Sequence, residues 1–169
     1  MSLGRAFGVM GAIAGTMAVA HLLTKKNREI DPAASRRYEE CVFDQVNLAR
    51  KSKGLAEVAR DPVLDQTGHY YSGLMRGTGK FAHQIDGKSV GERLDSFGIP
   101  YHRAAENLQR NDYVDCDSGC METVWGPGGW MQSKLGHREA MLDPGYDQAG
   151  IGVEDDGRSW HVAMYFRKA

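Results

Sequence analysis

Ser159-Trp160-His161-Val162-Ala163-Met164-Tyr165-Phe166 is the stretch that decides the fold class. Trp160, Val162, Met164 and Phe166 take alternate places, with His161, Ala163 and Tyr165 between them, which is the period of a β-strand. Gly150 to Val153 reads as its partner, joined through the turn residues Asp155-Asp156-Gly157. Toward the N-terminus the period changes. Asp31-Pro32 opens a helix as N-cap and first residue, and Tyr38, Cys41, Val42, Gln45, Val46 and Ala49 follow at helical spacing until Gly54. Asp61-Pro62 repeats the signal for a helix through Leu64, Gly68, Tyr71 and Met75, stopped by Gly77-Thr78-Gly79. Ser89 caps a third helix reaching Phe97, with Leu94 and Phe97 inward. Tyr101 to Leu108 reads as a strand, and Asn111 to Gly129, rich in Asp, Gly and Pro, as an irregular surface loop. A short helix starts at Trp130, breaks near Gly136 and resumes through Ala140 and Leu142 to an Asp143-Pro144-Gly145 turn. Helices first and strands late give an α+β layered domain.

Three patches carry the chemistry. They are Phe81-Ala82-His83 with Gly87 behind, Ala105-Glu106-Asn107-Leu108, and Trp130-Met131-Gln132-Ser133 running into Gly136-His137-Arg138. Their order, with Asn47-Leu48-Ala49-Arg50 and Gly54-Leu55 before and Gly150-Ile151-Gly152-Val153 after, resembles the CAP superfamily. This is the SCP domain of cysteine-rich secretory proteins, antigen five and plant pathogenesis-related proteins, and the short bacterial-type branch is the nearest in wording. The resemblance covers about residues 36 to 167. It implies a three-layer α–β–α sandwich with a small antiparallel sheet, and a cleft of two histidines and two glutamates.

His83, Glu106 and His137 match three of those cleft positions and are the catalytic candidates, while Ser133 stands where the family has its second glutamate. Asn107 and Ser133 join them as candidate ligand-cleft residues. Losing one carboxylate disfavours calcium, so a single divalent cation, zinc favoured, is expected on His83 and His137 with Glu106 as a candidate third ligand. A hydrogen-bonded trio in which Glu106 fixes a histidine tautomer is the other reading, and a Ser133–His137–Glu106 triad a remote one; taken alone, Glu106 reads as the salt-bridge partner of an arginine such as Arg103 or Arg138. Trp130 reads as core, and Trp125 as a groove wall or loop packing. His69 reads as packing, His102 as exposed and His161 as facing cleft or solvent; these three are left out of the site. The resemblance implies a small lipid, sterol or glycan ligand, or an extracellular protein partner. A metal-dependent hydrolase of peptide or ester bonds is the alternative.

A net charge of −1 supplies no field for gathering nucleic acid, and none is expected as a partner. Arg5 precedes an apolar run from Ala6 to Ala20, ending in Ala18-Val19-Ala20, the form of a signal-peptidase site. Residues 1–20 are therefore expected to be a signal peptide, 21–35 a linker and 36–169 the domain, exported as a secreted protein. An uncleaved anchor over residues 6–23 is the alternative, and would be the chain's contact with a membrane. Lys25, Lys26 and Arg28 bear on its orientation; a mitochondrial presequence is a third reading. Cys116 and Cys120, four apart around Asp117-Ser118-Gly119, read as a local disulfide, as free thiols or as half of a zinc hook. Cys41 reads as a buried small hydrophobe.

Overall fold

The structure, a computed structural model, describes residues 29–169. The leader or anchor and most of the expected linker lie outside the described residues. The described part opens with α1 (Pro32–Ser52), a short β1 (Ala59–Arg60) and α2 (Pro62–Thr78). Next come α3 (Val90–Ser96), β2 (Arg103–Asp112), α4 (Cys116–Trp125), a 3₁₀ turn (Trp130–Gln132) and α5 (His137–Leu142). A hairpin of β3 (Gln148–Asp155) and β4 (Ser159–Lys168) closes the chain. The helix starts follow their caps: Asp31 accepts from Ala33 N at 2.9 Å and Asp61 from Val63 N at 2.9 Å, each with proline in the first turn. α1 thus takes in residues 32–35 of the stretch read as linker.

The sheet order is β1-β3-β4-β2. The three long strands are antiparallel, and β1 adds two residues in parallel, Ala59 opposite Gln148 and Arg60 opposite Ala149. Both sheet faces are covered, so every residue from Ser159 to Phe166 is buried and the alternation sorts faces rather than inside from outside. Trp160, Val162, Met164 and Phe166 pack with Tyr38, Val42 and Val46 of α1 and Val124 of α4. Ala163 and Tyr165 pack with Leu64, Tyr71 and Met75 of α2 and Leu94 of α3. This is the expected α–β–α sandwich.

The family patches at either end are scaffold. Arg50, almost wholly buried, donates to the carbonyls of Ala56, Met141, Asp143 and Tyr146, satisfying the end of α5. Asn47 exchanges two hydrogen bonds with the backbone of Val58 and so sets the path into β1. β1 is too short to pair all of β3. Carboxylates replace it: Ile151 N donates to Asp65 at 2.8 Å and Val153 N to Glu39 at 3.0 Å.

Glu39 also draws in His69, whose Nε2 lies 3.3 Å from it while Nδ1 lies 3.7 Å from Glu154. With a carboxylate at each ring nitrogen, only the imidazolium serves both. Its pKa is raised, chiefly by Glu154 and then by Glu39, against the opposing effect of burial. A raised histidine pKa stabilises the fold fully below the unfolded value near ~6.5, and the contribution is lost as pH rises through the folded value. His69 is 45% exposed, so solvent screening holds the effect to about 0.5 kcal/mol. Thermal melts should show the wild type losing about 0.5 kcal/mol more than His69→Gln between pH 6 and pH 8.5. Parallel losses in the two proteins would refute this clamp.

Two expectations are corrected. Much of the stretch from Asn111 to Gly129 is regular: β2 runs to Asp112, and Asp115 caps α4 by accepting from Ser118 N at 2.8 Å. The glycine that suggested a loop, Gly119, is a packing residue, since a Cβ there would meet the Tyr38 ring at 2.7 Å. Trp125 donates to Gln45 on α1 and packs against the core. The disulfide joins Cys41 to Cys120, not Cys116 to Cys120, with Cα atoms 6.1 Å apart and a sequence separation of 79; Cys116 keeps a free thiol. Both cysteines lie on the α4 face turned to α1; Cys120 stands at the level of Cys41, and Cys116, one turn earlier, against Ala34. Because the bond closes a long loop, replacing Cys41 and Cys120 with alanine should lower urea stability by about 3 kcal/mol. Cys116→Ser should leave it unchanged, and non-reducing peptide mapping should recover the 41–120 pair.

A histidine pair over a buried carboxylate

His83, Glu106 and His137 reach one place from three layers. The turn after α2 carries His83, β2 carries Glu106, and α5 begins with His137. β2 is an outer strand of the sheet, so helices from both faces can meet beyond it. Glu106 stands opposite Tyr165 in the register and shares its face, toward α2; Asn107 stands opposite Met164 and points to the other face. From there Asn107 donates to the carbonyl of His137 at 2.9 Å and fixes the start of α5. Gly136, at φ 99°, makes the left-handed turn that brings His137 back toward the strand.

The two imidazole rings lie 5.9 Å apart, centroid to centroid. His83 Nδ1 lies 2.8 Å from Glu106 Oε1, with 53% of the His83 side chain exposed and none of the Glu106 side chain. Glu106 Oε2 accepts from Arg93 Nη1 at 2.6 Å and from the Tyr165 hydroxyl. Arg93 is itself fully buried. Its Nε and Nη2 donate to the two oxygens of Asp86, each at 2.9 Å, and Nη2 also reaches the carbonyls of His83 and Lys88. The guanidinium lies over the Tyr71 ring at 3.8 Å, and the Tyr71 hydroxyl in turn ties Ala82 O and Ile85 N. The loop that presents His83 is therefore anchored from beneath at several points.

The electrostatics follow from this packing. Burial alone opposes the charge on Arg93, but Asp86, Tyr165 and Glu106 more than offset it, and its pKa is raised. Hydrogen bonds from Arg93 hold Asp86 below the ordinary carboxylate range. Burial, and then the Glu106 charge, push Tyr165 up, so it keeps its proton. Burial and then the neighbouring His83 lower His137, leaving it a neutral imidazole at neutral pH.

Beside the pair runs an open groove of about 280 Å³ bordered by Phe81, Leu108, Gln109, Ser133, Leu135 and His137. Phe81 and Leu135 form exposed apolar rims. Of the five residues expected to line a cleft, His83, Ser133 and His137 are reachable by a ligand, whereas Glu106 and Asn107 are buried behind them. Ser133 Oγ accepts from Leu135 N at 3.1 Å, and Glu106 serves His83 rather than His137, so no Ser133–His137–Glu106 triad forms. The expected metal set fits only in part. Both Glu106 oxygens are engaged, and among the described residues no three His, Cys, Asp or Glu side chains converge as ligands. The two imidazoles remain, one backed by a carboxylate in the way metal-bound histidines are oriented. His161 is buried against Asp156, away from the groove.

Sequence reasoning offered Arg103 or Arg138 as the partner of Glu106 and missed Arg93. The signal was there: Val90, Arg93, Leu94 and Phe97 lie at helical spacing, which sets an arginine inside an apolar stripe. Arg103 pairs with Asp143 instead.

A three-layer sandwich with a histidine pair at the outer strand of its sheet defines a class of protein. The profile of the cysteine-rich secretory protein family, CAP, matches residues 43–166, and the chain belongs to that family. The Bacillus subtilis protein YkwD is 30% identical over 130 residues, 76% of this chain and 47% of its own length, so the chain spans about half of that relative. An extracellular SCP-domain protein of Bacillus anthracis shares the fold with TM-score 0.69 at 21% identity, over 83% of this chain and 45% of that one. An outer surface protein of Borrelia burgdorferi does so with TM-score 0.66 at 15% identity, over 85% and 99% respectively.

Proposed function

We propose that this is an exported or membrane-tethered CAP-domain protein whose groove binds a small or extended ligand, a lipid, sterol or glycan, against the His83–His137 pair. The carrying observation is a pair of imidazoles 5.9 Å apart, one of which, His137, borders an open groove with apolar rims. A ligand with one polar end and an apolar or extended body suits that arrangement. Export is supported by the Cys41–Cys120 disulfide, a bond that persists in oxidising compartments, and by similarity to proteins described as extracellular or outer-surface. No helix among the described residues is long and apolar enough to cross a membrane. A divalent cation, zinc favoured, would be held by the two histidines and completed by water or the ligand. It would supply a Lewis acid at the groove.

One observation favours a second reading. His83 held at 2.8 Å from a buried carboxylate is the orientation of a general base, which supports hydrolysis of an ester or peptide bond in the groove. One comparison separates the two. Full-length protein and the His83→Ala, His137→Ala double variant are analysed by native mass spectrometry for retained metal and ligand, then assayed on casein and p-nitrophenyl esters. Retained ligand that disappears in the folded variant supports binding, and hydrolysis that disappears supports the enzyme. Ligand retention and hydrolysis both unchanged in the variant would remove the histidine pair from the function.

A further inference from the structure

The hydrogen bonds around Glu106 have one consistent direction. A guanidinium can donate and never accept, so Arg93 sets the sense of every contact it makes. Its Nη1 donates to the Tyr165 oxygen at 2.9 Å and to Glu106 Oε2 at 2.6 Å. Tyr165, having accepted there, turns its own proton onto Glu106 Oε2. Oε2 therefore receives two donors, and Oε1 is left as an acceptor facing His83 Nδ1 at 2.8 Å. Nδ1 must carry the proton, and the lone pair falls to Nε2, on the side of the ring away from Glu106. A histidine with an exposed ring in water prefers the opposite tautomer, with the proton on Nε2. The protein overrides that preference from a residue that no solvent reaches.

We propose that Arg93 is the positioning residue of this cleft: acting through Glu106 and Tyr165, it holds His83 as the Nδ1–H tautomer and keeps the Nε2 lone pair available to whatever enters the groove. Arg93 also grips the backbone on either side of the loop, at His83 O (3.0 Å) and Lys88 O (3.1 Å), so ring orientation and proton placement share one source. The usefulness of the lone pair rests on the groove reading above, but the tautomer is measured with nothing bound, so either idea can fail alone.

The test is a two-bond ¹H–¹⁵N correlation spectrum of the ¹⁵N-labelled full chain at pH 8, above the ordinary imidazole pKa of about 6.5. Wild-type His83 should show a protonated Nδ1 and an unprotonated Nε2. Glu106→Gln should invert this. Arg93 and Tyr165 still only donate toward the inner atom, so the new amide must turn its oxygen to them and its N–H₂ to His83. Nδ1 then becomes the acceptor and the proton moves to Nε2. A merely structural arginine predicts no inversion. Wild-type His83 found with its proton on Nε2 would overturn the proposal without any variant. So would a folded Glu106→Gln protein whose His83 keeps the wild-type tautomer.

Discussion

Replacing Arg93 with methionine is expected to destabilise the protein by about 4 kcal/mol at pH 7, the scale of breaking a buried ion pair from one side. Methionine retains much of the stem volume, so the loss is electrostatic rather than a cavity. Glu106 keeps only Tyr165 and His83, and Asp86 loses both guanidinium donors and keeps the Lys88 N–H. The sign of the pH dependence follows from Asp86. Its folded pKa lies below the ordinary aspartate value, so its contribution is present at neutral pH and is lost as pH falls through that depressed value. In the variant Asp86 loses the guanidinium that holds its pKa down and so loses less as pH falls. The gap between wild type and Arg93→Met should therefore be widest near pH 7 and narrow toward pH 3. Urea unfolding at both values measures it, and a gap below about 1 kcal/mol at pH 7 would mean that the cluster relaxes without its arginine.

The parts of the molecule set by local chemistry were legible from residues alone. Asp31-Pro32 and Asp61-Pro62 start helices because a cap and a fixed φ act within one turn, and the β4 alternation is a property of eight consecutive residues. The patches placed His83, Glu106 and His137 on separate elements, and the structure brings the three together. What stayed hidden depends on partners far away in sequence. Cys120 lies next to Cys116 in any short-range view, yet helix α4 turns it toward Cys41. Gly119 reads as a loop residue until Tyr38 is known to fill the space beside it. Arg93 is the sharpest case. Its place in an apolar helix stripe marks it as unusual, but its partners Asp86, Glu106, Tyr71 and Tyr165 come from other elements and only the fold brings them to it.

A methyl group added at Gly152 should cost about 3–5 kcal/mol, while the same change at Gly73 should stabilise by about 0.5–1 kcal/mol. At Gly152 a Cβ would fall 2.0 Å from His69 N and 2.3 Å from Gly68 C; at Gly68 it would fall 2.3 Å from Gly152 N. α2 and β3 thus touch backbone to backbone, and neither has a flexible side chain that could give way. Gly150 repeats the contact two residues earlier, where a Cβ would meet Asp65 N at 2.4 Å. Gly73 lies on the same helix with nothing within 4 Å of its missing Cβ, so alanine there only restricts the unfolded chain. The effect at Gly152 should not stop at stability. α2 carries Tyr71, which supports Arg93 and ties the loop bearing His83. Lifting α2 from the sheet shifts that support relative to Glu106, which stays with β2. Gly152→Ala should therefore lower the thermal midpoint by several degrees and loosen the His83–Glu106 contact together, read as a mixed His83 tautomer at temperatures where the protein is still folded. A destabilised protein with an unchanged His83 tautomer would show that the loop is anchored independently of where α2 sits.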